Sequence, residues 1–378
     1  MRDLGQIKRI IIKIGSSSLI KPNGSPNEDC FDEILKNIKL LKQNNIDSLI
    51  VSSGAIAFGI NHLKLDSKPQ DLSFKQAVAA LGQARLMETY NKISLKYNLN
   101  CGQILLSHDD FEIRKRMLLL SNTLDEMFKH NIIPIVNEND ALAVDEIKVG
   151  DNDTLASLLA PMIHADLLVL FSDIDGLYTK NPRKYKDAIK IDEVDYIDEN
   201  IISMADKSDS KVGTGGMITK IKAALIATKA NTSTIICSAK EIKNLSNIIN
   251  GDDIGTLFKK DKNGISSREH WMIYKTNSKD YSIVVDDGVV DKLKNNKISI
   301  LPVGIKNVIG DFLAGTVVSI LNLDGNLIGK GITNYSSIEI RMMMGRDSKS
   351  LKDIIDNGKN EVIHANNLVL RNGELLWN

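Results

Sequence analysis

Arg9–Ser18 reads RIIIKIGSSS, an apolar run broken only by Lys13 that stops on glycine and three serines. The run does not alternate with polar residues, so the strand it predicts, Arg9–Ile14, needs cover on both faces. That is how a central strand of a parallel sheet reads. Ser48–Ser52, Gly102–Leu106, Ile132–Val136, Leu167–Ser172 and Thr234–Cys237 have the same character. Longer periodic stretches separate them. They predict helices over Asp29–Gln43, Phe74–Tyr97, Arg114–Lys129, Asp153–Ile163, Met217–Ala230 and Glu241–Ile249. In the first of these, Phe31, Ile34, Leu35, Ile38 and Leu41 share one face. Strand–helix alternation of this kind predicts an α/β fold, an open, mainly parallel sheet sandwiched by helices. In such sheets ligands collect at the carboxyl ends of the strands.

The pattern changes after Phe258. Lys259–Ser267 is polar and reads as linker. From Tyr281 the segments shorten, and Asp324-Gly325 between VVSILNL and LIGKGI signals a hairpin. The expected division is an α/β domain over 1–258, a linker over 259–278 and a small β-rich domain over 279–372.

Composition narrows the function classes. A length of 378 residues fits two domains. Lys plus Arg equals Asp plus Glu, 48 each, which excludes a global basic field for nucleic acid. The 3 cysteines are widely separated, which suits neither a disulfide framework nor a zinc site and fits a reducing cytosol. The apolar run Ile10–Ile14 is too short for a signal peptide. No run approaches the ~20 residues that cross a bilayer, so a cytoplasmic location without a membrane is expected.

The strand ends carry the chemistry. Lys13-Ile14-Gly15 closes the first run, Ser52-Ser53-Gly54 the second, Asn137-Glu138-Asn139-Asp140 the fourth and Ser172-Asp173 the fifth. Gly150-Asp151-Asn152-Asp153 opens a helix, and Val212–Lys220 (VGTGGMITK) places glycines before another helix with a lysine one turn inside. Singly, each reads as a turn or a cap. Together at one sheet edge they suit phosphoryl transfer, which needs alignment and charge neutralisation rather than covalent help. Lys13 and Lys220 are expected to flank the migrating group, with Asp173 as their counter-ion and Gly15 and Gly54 offering backbone donors. The glycine stretch is neither a P-loop, since Lys220 does not follow a glycine, nor a dinucleotide fingerprint, which fails at Ile218. The acids of NENDA and GDND suit either a metal or a substrate ammonium. Asp140 as acceptor with Asn152 as donor suits an α-amino acid.

These stretches resemble the amino-acid kinase family, and within it the glutamate 5-kinases. The matching segments are IIKIGSSSL, VSSGAIAFG, LGQARLM, IPIVNENDA, IKVGDNDTLASLLA, SDIDGLYTKNPR and GTGGMITKIKAA. The tail resembles a PUA domain through LPVGIKNVIGDFLAGTVVSI and IGKGITNYSS. The resemblance implies ATP-dependent phosphorylation of the γ-carboxylate of L-glutamate, the first step toward proline. It places Ser53, Gly54, Asn137, Asp140, Asp151 and Asn152 at the glutamate. It places Lys13, Gly15, Ser172, Asp173 and the loop Thr214, Gly215, Gly216, Met217, Ile218, Thr219 and Lys220 at the nucleotide. Lys13, Lys220 and Asp173 form the expected catalytic set. Mg²⁺ is implied through ATP oxygens and water, with no protein ligand assigned. Proline inhibition, a dimer or tetramer, and hand-over to glutamate-5-semialdehyde dehydrogenase are further implications. The alternatives are another small-acid kinase of the same fold, or RNA binding through Lys292, Lys294, Lys297, Lys306 and Arg341 of the tail. RNA is not the expected partner, because the net charge is balanced.

Overall fold

The computed structural model describes residues 1–143, 151–206, 216–261, 264–274, 280–296, 298–346 and 360–371. Gly150, Gly213, Thr214, Gly215 and Lys297, singled out above, lie outside the described residues. The chain divides into two compact units, Met1–Ile265 and Ser266–Asn378.

Strands of the first unit are β1 (Arg9–Ile14), β2 (Asp47–Ser52), β3 (Asn100–Leu106), β4 (Ile132–Glu138), β5 (Leu167–Ser172), β6 (Leu177–Tyr178), β7 (Lys190–Ile191), β8 (Glu193–Val194), β9 (Ser233–Ser238) and β10 (Thr256–Phe258). Its helices are α1 (Ser16–Leu19), α2 (Glu28–Gln43), α3 (Ala55–Leu63), α4 (Leu72–Ser94), α5 (His108–Glu112), α6 (Arg114–Lys129), α7 (Asn152–Leu159), α8 (Glu199–Asp206), α9 (Met217–Lys229) and α10 (Leu245–Ile249). Among the described residues these strands give an eight-stranded sheet in the order β3-β4-β2-β1-β5-β9-β10-β8, with β6 and β7 as a separate ribbon. The pairings are parallel except β9 with β10.

β1 and β5 are buried along nearly their whole length, as unbroken apolar runs require. β3 departs from that reading. It lies at the sheet edge with only β4 beside it, and most of its residues are partly or fully exposed. Chain order reverses beside β1: β2 lies on one side and β5 on the other. A crevice therefore opens beyond the carboxyl end of β1.

The helices close both faces. α2 buries the face expected for it, and Phe31 meets Tyr90 of α4 edge-on at 4.7 Å. α4 starts at Leu72 because Asp71 caps it, accepting from the Phe74 N–H at 2.7 Å. α3 went unread in the sequence. Its Gly59 and Gly82 of α4 let the two backbones touch: a Cβ at Gly82 would lie 1.8 Å from the Ala55 carbonyl oxygen. Among the described residues no helix is long and apolar enough to cross a membrane.

In the second unit, α11 (Ser267–Tyr274) occupies part of the segment expected as linker. Strands β11 (Ser282–Val285), β12 (Ile305–Ile309), β13 (Val317–Leu321), β14 (Leu327–Ile332) and β15 (Leu368–Leu370) form a sheet in the order β12-β11-β13-β14-β15. Helices α12 (Asp287–Asn295) and α13 (Ser337–Met343) complete it. The expected hairpin joins β13 to β14, with Gly325 at φ +81° donating its N–H to the Asn322 carbonyl. Two tail cations proposed for RNA already face acids: Lys306 lies 3.2 Å from Asp286, and Arg341 lies 2.7 Å from Asp311.

Candidate active site

Three charged side chains from distant parts of the sequence meet in the interior. Lys13 sits near the end of β1, Asp153 in the first turn of α7 and Lys220 in the first turn of α9. Their exposures are 7%, 1% and 4%. Lys13 Nζ lies 2.5 Å from Asp153 Oδ1 as an ion pair, and Lys220 Nζ donates to Asp153 Oδ2 at 3.0 Å. α7 packs against both β1 and α9, which brings the three together. Burial alone would push the Asp153 carboxyl up. The two ammonium groups outweigh it and hold the carboxyl below its usual 3.8.

The sequence assigned the counter-ion role to Asp173, and the structure corrects it. Asp173 faces Arg183 at 3.7 Å and accepts from Ser172 Oγ at 3.1 Å, while both lysines engage Asp153. A lysine buried in a strand needs an anion, and the packing of α7 on α9 supplies Asp153 rather than the residue after β5. Gly15 adjoins the trio: a Cβ there would lie 4.0 Å from Lys13 Nζ.

Beside the trio runs a chain of amides. Asn152 Nδ2 donates to Ser53 Oγ at 2.7 Å and to Asn137 Oδ1 at 2.9 Å. Asn137 Nδ2 donates to Gln83 Oε1 at 2.9 Å. The Glu138 backbone N–H also donates to Asn137 Oδ1, at 2.9 Å. A backbone N–H can only donate, so this bond fixes which end of the Asn137 amide is oxygen. Asn152 must then present nitrogen to Asn137 and oxygen elsewhere. Asn152 Oδ1 is buried with no hydrogen-bond partner, and so is Asp151 Oδ2. The other Asp151 oxygen caps α7 by accepting from the Thr154 N–H at 2.8 Å. Asn152 was expected to donate to a substrate carboxylate. Both its protons are already used, and what it offers is an acceptor. Asp140 lies half-buried in the turn after β4. Gly54, at φ +113°, sits in the left-handed region that favours glycine and opens α3 directly after Ser53.

A groove adjoins the end of β5, lined among others by Asp173, Gly176, Tyr178, Arg183, Gly216 and Met217. A Cβ at Gly216 would meet nothing within 4 Å. Thr219 Oγ1 donates to the Gly216 carbonyl at 2.8 Å, and Ile218 is half-buried. Thr256 of β10 holds the ribbon that walls the groove. Its hydroxyl accepts from the Leu177 N–H at 2.8 Å and donates to the Ile191 carbonyl at 2.5 Å, linking β6 and β7 to the main sheet. Asp153, Gln83 and Thr256 were not assigned roles in the sequence. Asp153 carried a signal as one of the acids of GDND and Gln83 as part of LGQARLM, while Thr256 carried none.

No group of three or more His, Cys, Asp or Glu is placed to hold a metal ion among the described residues. The most central carboxylate, Asp153, is already engaged by two cations. The described residues therefore do not form a protein cage for Mg²⁺.

Comparison with known proteins places this geometry. A model of the amino acid kinase family matches residues 8–238, and a PUA domain model matches residues 281–355. A glutamate 5-kinase from Carboxydothermus hydrogenoformans is 41% identical over 371 residues, covering 97% of this chain and 98% of that one. Another from Dictyoglomus thermophilum is 39% identical over 368 residues, covering 97% of this chain and 98% of that one. The similarity thus runs through both units and nearly end to end, and the chain belongs to the amino acid kinase family, on its glutamate 5-kinase branch.

Proposed function

We propose that this kinase transfers the γ-phosphoryl group of ATP to the γ-carboxylate of L-glutamate, with Lys13 and Lys220 as the groups that meet the migrating phosphoryl. The observation that carries the proposal is the shared carboxylate. One Asp153 side chain holds two buried ammonium groups at 2.5 and 3.0 Å, so both converge on one small volume. Charge developing on phosphoryl oxygens there meets preorganised cations in a water-poor site, where such stabilisation is strongest.

The acceptor needs no strong base. A γ-carboxylate with an ordinary pKa of about 4.3 is already ionised near neutral pH. It attacks in line, and the ADP oxygen takes the electron pair of the broken P–O bond. Asn152 Oδ1 and Asp151 Oδ2 are the acceptors for the α-ammonium, whose three protons suit two buried oxygens without partners. Asp140, Ser53, Gly54 and Asn137 complete the glutamate side. The groove from Ser172 and Asp173 to Gly216 takes the nucleotide, beside Gly15, Met217, Ile218 and Thr219. The loop residues Thr214 and Gly215 belong to the same proposal. Mg²⁺ is assigned to ATP oxygens and water, where it would neutralise phosphate charge.

Proline carries an ammonium and a carboxylate on a smaller frame, so it is assigned as an inhibitor competing for the same acceptors. The labile acyl phosphate makes hand-over to glutamate-5-semialdehyde dehydrogenase part of the reading, as is assembly to a dimer or tetramer in the cytoplasm. The test is ADP release with L-glutamate, aspartate, N-acetylglutamate and carbamate, each with and without hydroxylamine to trap acyl phosphate. L-Glutamate is expected to give both ADP and hydroxamate. Preference for another acid would overturn the substrate assignment.

A further inference from the structure

Gln83 lies in the middle of α4, buried, and no step of the reaction uses it. Its Oε1 accepts from Asn137 Nδ2 at 2.9 Å. That contact is the far end of the amide chain that reaches Asn152. The Glu138 N–H sets Asn137 Oδ1 toward Asn152, and Gln83 Oε1 accepts from the Asn137 Nδ2 left facing α4. Asn152 then offers nitrogen to Asn137 and Ser53, and its Oδ1 remains for the cleft. Flipping Asn137 would set donor against donor at Asn152 and acceptor against acceptor at Gln83; flipping Gln83 would set donor against donor, and flipping Asn152 acceptor against acceptor, at their junctions with Asn137. A second observation shows that the end of the chain is held in place. Next to Gln83, Gly82 rests directly on the first turn of α3, where a Cβ would fall 1.8 Å from the Ala55 carbonyl oxygen and 2.4 Å from the Gly59 nitrogen. α3 begins two residues after Ser53, so α4 is locked in register beside the second partner of Asn152.

We infer that Gln83 is a positioning residue that, together with the Glu138 N–H, holds the polarity of the Asn137–Asn152 amide pair, and thereby makes the site select a dicarboxylate bearing an ammonium over one without it. The inference rests on the reading that Asn152 Oδ1 meets the substrate ammonium. The choice of acceptor is thus set partly by a residue that does not touch it. Leucine at 83 would remove the acceptor and leave Asn137 Nδ2 unsatisfied in the interior. A lost bond of that kind corresponds to roughly 10-fold in an equilibrium.

The test compares wild type, Gln83→Leu, Gln83→Glu and Asn152→Ala. The measurements are the KM for L-glutamate, the KM for ATP, the melting temperature and the competitive inhibition constant of glutarate, which is glutamate without its amine. Gln83→Leu is expected to raise the glutamate KM about 10-fold. It should reduce discrimination against glutarate by a similar factor and leave the ATP KM unchanged. Gln83→Glu keeps an oxygen at the junction and should retain most of the discrimination. An unchanged glutamate-to-glutarate ratio in Gln83→Leu, or Gln83→Glu as impaired as Gln83→Leu, would overturn the inference. Should Asn152→Ala lose the discrimination while Gln83→Leu keeps it, only the role of Gln83 falls. Should Asn152→Ala keep it too, the ammonium reading falls with it.

Discussion

Replacing Asp153 by asparagine tests the centre of the site. The side chain keeps its shape and loses its charge, leaving Lys13 and Lys220 facing each other in the interior. Both contact one carboxylate, at 2.5 and 3.0 Å. Two ammonium groups about 5 Å apart, at an effective dielectric of ~20, repel by about 3 kcal/mol. Removing one partner from a buried charge cluster costs about 3–5 kcal/mol, so the two routes agree. For a unit of this size each kcal/mol moves Tm by about 2–4 °C, which predicts a fall of roughly 6–20 °C in a thermal melt. Tripolyphosphate should narrow the gap, because it returns an anion to the two cations. Turnover should fall by at least about 10²–10³, since the two lysines proposed to meet the phosphoryl lose their anchor.

The pH dependence has a definite sign. The Asp153 carboxyl is depressed in the fold, below its usual 3.8. Such a group stabilises above its unfolded pKa, and its contribution is lost as pH falls through the folded one. The Tm gap between wild type and Asp153→Asn should therefore hold from neutrality down to about pH 4 and close only in stronger acid. An Asp153→Asn enzyme with wild-type Tm and near-normal kcat would refute the reasoning, because the two lysines would then need no shared anion.

Three further outcomes are expected. Lys220→Ala should lower kcat by roughly 10²–10³ while the glutamate KM changes little, and near-normal turnover would remove its role. Thr256→Val takes the hydroxyl from the ribbon that walls the groove; the ATP KM should rise about 10-fold, Thr256→Ser should restore it, and an ATP KM unaffected by the valine would separate the ribbon from nucleotide binding. Burial pushes the Cys30 and Cys101 thiols up to about 11, so at pH 8 they should alkylate on the order of 100-fold more slowly than a free thiol. Rapid labelling of the native enzyme at either position would contradict that burial.

The sheet was legible where a strand's own residues determine its surroundings. Arg9–Ile14 and Leu167–Ser172 form β1 and β5 with the boundaries read from the sequence, because strands covered on both faces must be apolar throughout. Arg114–Lys129 likewise forms α6. Gly102–Leu106 was misplaced for the complementary reason. Its composition suits a central strand, yet Leu105 is 37% exposed at the sheet edge, and a run of apolar residues does not record how many neighbours it has. β10 is three residues long, too short for any period to show. α3 was hidden by the feature that makes it pack. Gly59 reads as a helix breaker in isolation, while in the fold a Cβ there would lie 2.0 Å from the Val78 carbonyl oxygen.

The site was legible in its residue types and less so in its pairings. Two lysines and a set of strand-end acids suffice to suggest phosphoryl transfer, but the sequence does not say which acid holds which lysine. Asp153 and Asp173 both follow or open regular elements, and only the packing of α7 on β1 and α9 separates them. The same packing bears on whether GDND serves a metal or an ammonium. A hard cation such as Mg²⁺ needs about six oxygens in an octahedron. Asp153 is committed to the lysines, and one oxygen of Asp151 to the cap of α7. What remains is one carboxylate oxygen and one amide oxygen, both buried and both without partners. Two such acceptors make a poor shell for a dication. They fit an ammonium, a cation that brings three donors of its own, and this favours an amino acid as the acceptor over a metal at that position.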